Sequence, residues 1–231
     1  MKCKVCKGEL LSIGSLPFDH NVHGIPIQIT TPIEYYQCRG CGLVCAPEMM
    51  AWSPEIMAAR VYNQDYWKYD PEYGGKRAER NLVGLIKVFG ENFKRRHLDY
   101  GSGEGHLSRL LNMSGWDSTS YDPFSSKQAP EGTFMLVTAF EVFEHSCDLD
   151  ATIKDIKKYL HKDGVVLFST LLTEPRTKID WWYIAPRGGH VNMQSKKSLE
   201  ILAERNGLKF KTIEGKLAHI MQRTKTNIER L

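Results

Sequence analysis

His97-Leu98-Asp99-Tyr100-Gly101-Ser102-Gly103-Glu104-Gly105-His106-Leu107 is the stretch whose reading decides the architecture of this chain. A short apolar-leaning run turns through three glycines at alternate positions and enters Leu107-Ser108-Arg109-Leu110-Leu111, whose leucines recur at helical spacing as far as Gly115. Strand, glycine loop and helix in that order make the opening unit of a nucleotide-binding α/β fold. Glycine lacks a Cβ, so the backbone turns tightly and a ligand can lie against it. The spacing is G-x-G-x-G, with His106 where a dinucleotide fingerprint would carry its last glycine; alone, such a loop also occurs as a simple turn.

The residues that follow sharpen the reading. A second short strand, Ser118-Thr119-Ser120-Tyr121, ends in Asp122, about twenty residues beyond the first glycine, where a carboxylate can accept hydrogen bonds from both hydroxyls of an adenosine ribose. Phe134-Met135-Leu136-Val137-Thr138-Ala139-Phe140 reads as a buried strand and runs into Glu141-Val142-Phe143-Glu144-His145. Ile153, Ile156 and Leu160 mark a helix ending near Asp163-Gly164, and Val165-Val166-Leu167-Phe168-Ser169-Thr170 reads as another buried strand.

This succession, over residues 62–223, resembles the class I S-adenosylmethionine-dependent methyltransferases. The resemblance is carried by Leu98-Asp99-Tyr100-Gly101-Ser102-Gly103-Glu104-Gly105, by Tyr121-Asp122-Pro123 and by Glu141-Val142-Phe143-Glu144-His145, the last similar to the E-V-x-E-H element of small-molecule members, sugar-modifying ones included. It implies that Gly101, Gly103 and Gly105 line the methionine half of the cofactor and that Asp122 holds the ribose. Asp99 would bond loop amides or the cofactor ammonium, and Glu141 would border the site. It also implies a Rossmann-like sheet, mostly parallel with an antiparallel edge strand. Members of this class place a further strand and helix after the ribose-binding acid. Here residues 123–133 are rich in serine, proline and glycine, so the sheet is expected to lack one strand on that side, leaving adenine to backbone and to the segment around residues 138–140.

The chain has 231 residues, six cysteines and a formal net charge of +4, too mild to argue for nucleic acid without a local cluster. No apolar run reaches the length of a membrane span and no signal-peptide core opens the chain. Cysteines without an export signal favour a reducing compartment, so the expectation is a cytoplasmic protein, not held by a membrane, that uses its thiols for metal.

Cys3-Lys4-Val5-Cys6 and Cys38-Arg39-Gly40-Cys41 are two C-x-x-C knuckles, and four thiolates complete the tetrahedral set that zinc prefers. A closed set leaves no position for substrate, so the ion is expected to be structural. Cys45, His20 and His23 are spare candidates or packing groups. Residues 1–48 are expected to form this small zinc-ribbon-like β module, residues 49–75 a linker and aromatic covering segment, and residues 76–231 the catalytic domain. An N-terminal two-knuckle module also occurs in sugar C-methyltransferases, although the longer histidine and tyrosine elements and the extra C-terminal domain of that group are not found here.

In Tyr62-Asn63-Gln64-Asp65-Tyr66-Trp67-Lys68-Tyr69, the resemblance implies that Tyr66 or Tyr69 folds over the cofactor, whose sulfonium an aromatic face attracts. The alternative is that these rings pack the modules. A helix is expected over 75–89, with Leu82, Leu85, Ile86 and Phe89 on its inner face. Residues 171–189 show little period and carry Trp181, Trp182, Tyr183 and Arg187, suited to stacking on a ring and gripping an anion. His190 and His145 are the candidate general bases, each with a structural alternative as loop staple or cap. Ser195 reads as a helix N-cap, Asn206-Gly207 as that helix's end, and two strands joined at Glu214-Gly215-Lys216 as the antiparallel edge.

Three readings follow. The first is a methyltransferase for a small polar metabolite such as a sugar or nucleotide-sugar. The second is an RNA-base methyltransferase gripping RNA through the zinc module. Against it, residues 1–48 hold Lys2, Lys4, Lys7 and Arg39 against Glu9, Asp19, Glu34 and Glu48, a neutral balance that grips phosphate poorly. The third is a non-catalytic module that binds the cofactor or a partner.

Overall fold

A computed structural model of the chain describes residues 1–72, 75–126, 128–213 and 218–223. In chain order its elements are β1 (Leu10–Pro17), β2 (Pro32–Cys38), β3 (Val44–Cys45), α1 (Pro54–Arg60), α2 (Tyr66–Tyr69), α3 (Lys76–Phe89), β4 (Arg96–Tyr100), α4 (His106–Met113) and β5 (Asp117–Tyr121). There follow β6 (Phe134–Phe140), α5 (Leu149–Tyr159), β7 (Leu160–Ser169), β8 (Asn192–Met193), α6 (Lys196–Arg205), β9 (Leu208–Thr212) and β10 (Ala218–Arg223). The turn expected at Glu214-Gly215-Lys216 and the tail at 224–231 lie outside the described residues.

The chain forms two units, each built from separated pieces. The first comprises Met1–Pro71, Phe143–Thr152 and Thr170–Leu202; the second comprises Glu72–Val142, Ile153–Ser169 and Ala203–Leu231.

The second unit carries a six-stranded sheet in the order β5-β4-β6-β7-β10-β9. The strands β5, β4, β6 and β7 run parallel, and β10 is antiparallel to both β7 and β9. The continuous apolar run of β6 suits a strand flanked by neighbours on both sides, and five of its seven residues are buried. Residues 122–133 add no strand among the described residues, so β5 is the sheet's edge, as the shortened segment implied. Leu82, Leu85 and Phe89 of α3 bring the expected face onto the core, which Leu107, Leu111 and Trp116 share with Leu136, Val165, Leu167 and Ile220 of the sheet. One expectation is corrected: Leu160 opens β7 instead of continuing the preceding helix, because it pairs with Phe134 at the start of β6.

The first unit is fastened differently. Its sheet runs β1-β2-β3-β8, so a two-residue strand from late in the chain completes an N-terminal hairpin. The two knuckles share one backbone plan. In each, the residue after the second cysteine has a left-handed backbone, Lys7 with φ 63° and Gly42 with φ 79°. In each, that residue donates to the carbonyl of the first cysteine, Lys7 to Cys3 at 3.0 Å and Gly42 to Cys38 at 2.8 Å. The first cysteine in turn donates to the carbonyl one residue further on, Cys3 to Gly8 at 2.9 Å and Cys38 to Leu43 at 2.8 Å.

Residues 27–30 do not form a strand. Asp19 Oδ2 accepts from the Ile29 amide there, and in the preceding loop Asn21 bonds the Asp19 and Ile25 carbonyls and the His23 and Ile25 amides.

Candidate functional site

In the second unit the strand β4 ends on Tyr100 and the chain turns through Gly101, Gly103 and Gly105, whose φ angles are 72°, 52° and 72°. These values fall in the left-handed region that side chains disfavour. A Cβ on Gly101 would also lie 2.5 Å from Val142 Cγ2, so glycine is required there twice over. Asp122, at the end of β5, ties the loop from below: its Oδ2 accepts from the Gly103 amide at 3.0 Å and its Oδ1 from the Phe124 amide at 2.9 Å. Each oxygen keeps acceptor capacity for a hydroxyl.

Asp99 is buried, and burial pushes its carboxyl up to about 7, with Asp122 acting in the same direction and the Thr138 hydroxyl opposing. Glu141, just beyond β6, adopts φ 54°; its amide donates to Ser169 Oγ at 3.2 Å, and its Oε1 accepts from that hydroxyl at 3.0 Å. A non-glycine residue held in this conformation at the carboxyl end of a central parallel strand marks the side where open α/β sheets bind ligands. The Thr138 hydroxyl, in the segment expected to face adenine, is engaged by Asp99 and His97.

In the first unit Cys3, Cys6, Cys38 and Cys41 converge, with all four sulfurs within 4.8 Å of one another. Cys3 and Cys41 sulfurs are 3.8 Å apart and Cys6 and Cys38 sulfurs 3.3 Å apart. A tetrahedral ion with metal–sulfur bonds of about 2.3 Å would space them at about 3.8 Å. Glycine makes room here too, since a Cβ on Gly40 would lie 2.9 Å from Cys6 Sγ and one on Gly8 3.1 Å from both Cys6 Sγ and Cys38 Sγ. The hydrogen bond between Cys3 and Cys41 lowers the Cys3 thiol and raises the Cys41 thiol, so the pair shares its proton unequally, and burial pushes the Cys38 thiol up.

Among the described residues a second group of metal-capable side chains lies in the same unit: Glu144, His145 and His190 offer ligand atoms within 4.8 Å of one another. Glu144 is fully buried, and Tyr183 donates its hydroxyl to the Glu144 carboxylate. His190 Nδ1 lies 2.6 Å from the Tyr183 carbonyl, and its ring stands edge-on to His145 at 4.9 Å and to Tyr183 at 4.5 Å. His145 Nδ1 lies 3.2 Å from the Tyr62 hydroxyl. Sequence reasoning passed over Tyr62, although it opens the aromatic stretch.

The remaining aromatic and basic candidates separate into held and exposed groups. Arg187 is buried; it donates to the Val61 carbonyl at 2.6 Å and to Asn63 Oδ1 at 2.8 Å, and its guanidinium lies over the Tyr69 ring at 4.3 Å. Tyr66 is buried, with its hydroxyl 3.3 Å from Asp70 Oδ2. Trp181 and Trp182 both pack against Tyr183, but Trp182 remains 56% exposed.

A family model described as a methyltransferase domain matches residues 57–212. The chain belongs to this family, the class I S-adenosylmethionine-dependent methyltransferases. An O-methyltransferase family protein from Burkholderia thailandensis superposes with a TM-score of 0.53 at 11% identity, over 78% of this chain and 67% of that one. The CMeT domain of the citrinin polyketide synthase does so with a TM-score of 0.51 at 12% identity, over 74% and 60% of the two chains. At these identities the likeness is one of fold. No curated protein matches the chain. The glycine loop, the doubly anchored Asp122 and the buried Asp99 fit the family's methyl donor. No helix among the described residues is long and apolar enough to cross a membrane.

Proposed function

We propose that this methyltransferase acts on a small polar metabolite, a sugar or nucleotide-sugar, by direct methyl transfer, with His190 and His145 as the groups that take the substrate's proton. The observation that carries the proposal is the hydrogen bond between His190 Nδ1 and the Tyr183 carbonyl at 2.6 Å. A carbonyl only accepts, so Nδ1 holds the proton and the neutral ring keeps its lone pair on Nε2, the form a general base needs. Two rings, Tyr183 and His145, stand edge-on to that imidazole.

Gly101, Gly103 and Gly105 would cradle the methionine half of S-adenosylmethionine, with Asp122 on its ribose, Asp99 beside its ammonium group, Glu141 bordering the site, and Tyr66 in the covering segment. Bound there, the cofactor supplies a methyl group already activated on a sulfonium. The protein's part is then to orient the acceptor, exclude water and remove one proton. Since Arg187 and Tyr183 are engaged inside their own unit, stacking on the substrate falls chiefly to Trp182 and Trp181. The four knuckle cysteines would hold a structural zinc ion.

Labelled S-adenosylmethionine incubated with separate pools of nucleotide-sugars, other metabolites and RNA tests this reading. Label is expected in the small-molecule pool, with His190→Asn slowing transfer about 100-fold or more and Asp122→Ala weakening S-adenosylhomocysteine in calorimetry. Label confined to RNA, or a His190→Asn variant at full speed, would overturn it.

A further inference from the structure

Five buried side chains, Ser108, Ser118, His97, Thr138 and Asp99, form one file of hydrogen bonds inside the second unit. The Ser108 and Ser118 hydroxyls are 3.0 Å apart, and Ser118 Oγ lies 2.7 Å from His97 Nδ1. His97 Nε2 lies 3.0 Å from Thr138 Oγ1, which lies 2.9 Å from Asp99 Oδ1. Each hydroxyl, and the neutral imidazole, has a single proton to give, so the direction of one link sets the direction of the next.

Two arrangements satisfy the three links between Ser118 and Asp99. With Asp99 ionised the carboxylate only accepts: Thr138 donates to it, His97 Nε2–H donates to Thr138, and Ser118 donates to Nδ1, giving up its bond to Ser108. With Asp99 protonated and donating to Thr138, these three links reverse, the imidazole carries its proton on Nδ1, and Ser118 donates to Ser108. The ring stays neutral in both, because burial holds it down to about 3. The carboxyl, pushed up to about 7 by burial with Asp122 as its like-charged neighbour, is the group that changes charge near neutral pH.

We propose that His97 is a positioning residue for the cofactor loop: a cation arriving beside Asp99 fixes the carboxylate, and the file turns so that His97 becomes the Nε2–H tautomer and supports Asp99 through Thr138. This rests on the reading that Asp99 borders the cofactor's ammonium group. Thr138, His97, Ser118 and Ser108 each hold the same number of protons before and after. The net change is one carboxyl proton passed to solvent.

Nitrogen-15 spectra of histidine-labelled protein, with His97→Gln assigning the signal, read the tautomer directly. Without ligand, the Nδ1–H form is expected at about pH 5.5 and the Nε2–H form at about pH 8.5, on either side of the Asp99 midpoint. S-adenosylhomocysteine, which has the ammonium but no sulfonium, is expected to produce the Nε2–H form at the lower pH. Calorimetry in buffers of different ionisation heat is expected to record nearly one proton released on binding. Thr138→Val should leave His97 unresponsive to ligand while proton release persists, and should weaken binding about tenfold. A His97 signal that keeps one tautomer across pH and ligand, or becomes an imidazolium at about pH 5.5, overturns the proposal. If the tautomer follows pH but the ligand gives no heat, the cofactor reading of Asp99 is overturned and the proton file stands.

Discussion

Both units bury apolar side chains, Ile33, Tyr35 and Met193 among them in the first, but the first adds a cluster of four cysteines proposed to hold zinc. The second is closed by apolar burial: Leu107 and Leu111 from α4, Leu85 from α3 and the inner faces of β6, β7 and β10 meet in one core. The first gathers four sulfurs at the roots of a small hairpin sheet whose last strand is two residues long. Burial is spread over many contacts, so no one residue decides it, whereas a metal site concentrates stabilisation at a point that a chelator can reach. Stability and ligand binding should therefore be separable in this chain by choosing which point to attack.

The largest effect is expected from emptying the cysteine site of the zinc proposed for it. Structural zinc contributes on the order of 10 kcal/mol to such modules. Chelation, or Cys38→Ser with Cys41→Ser, is therefore expected to open residues 1–71 and 170–195 to protease while α4 and the β4–β7 strands stay protected. Limited proteolysis read by mass spectrometry makes the check, and simultaneous loss of both units would erase the contrast drawn here.

A smaller effect, confined to the second unit, is expected from Gly101→Ala. Its Cβ meets Val142 at 2.5 Å from a backbone with φ 72°, so the strand-to-helix turn should shift at a cost of about 2–4 kcal/mol and bind S-adenosylhomocysteine poorly. Val142→Ala in the same chain should recover the steric part but not the backbone part, as thermal melts would show.

The mildest test reads the balance between two buried groups. Asp99 has a folded value near 7, above its unfolded value, so it stabilises at low pH and this contribution fades as pH rises from about 4 to 7. His97 has a folded value near 3, below its unfolded value, so it stabilises above about pH 6.5 and this contribution fades as pH falls to about 3. Their slopes are opposite, about 1.4 kcal/mol per pH unit each, and overlap between about pH 4 and 6.5. Denaturant melts of the wild type should be nearly flat there. Asp99→Asn should gain stability as pH rises through the window, and His97→Gln should lose it. Parallel profiles in all three proteins would refute the assignment.

What could be read from the chain beforehand follows from what leaves a local mark. The strand, glycine loop and helix at residues 97–111 were legible because periodicity and backbone need coincide, and the knuckles because their spacing repeats. The first hairpin strand, Leu10–Pro17, was not, since Gly14 with φ 121° and a register shift between Ser12 and Gly14 break its alternation. The pairing of Val44 with Met193 and of Cys45 with Asn192 leaves no trace in either short segment. At the candidate site the histidines were visible as residues, but the Tyr183 carbonyl that selects the His190 tautomer is a backbone atom, and no side-chain pattern announces it.

Ending the sheet at β5 leaves that strand's outer edge with no strand from residues 122–133 beside it among the described residues, although the Asn112 side chain bonds the Ser118 amide and carbonyl. Such a margin invites a passing strand from another molecule, and the usual protection is chemical. Asp117-Ser118-Thr119-Ser120-Tyr121 supplies it: short, polar, and headed by a carboxylate that water solvates well. Replacing Asp117 and Thr119 with valines would keep the fold's register yet turn a quiet border into a sticky one, so the missing strand sets a limit on how greasy this edge can become before the protein precipitates.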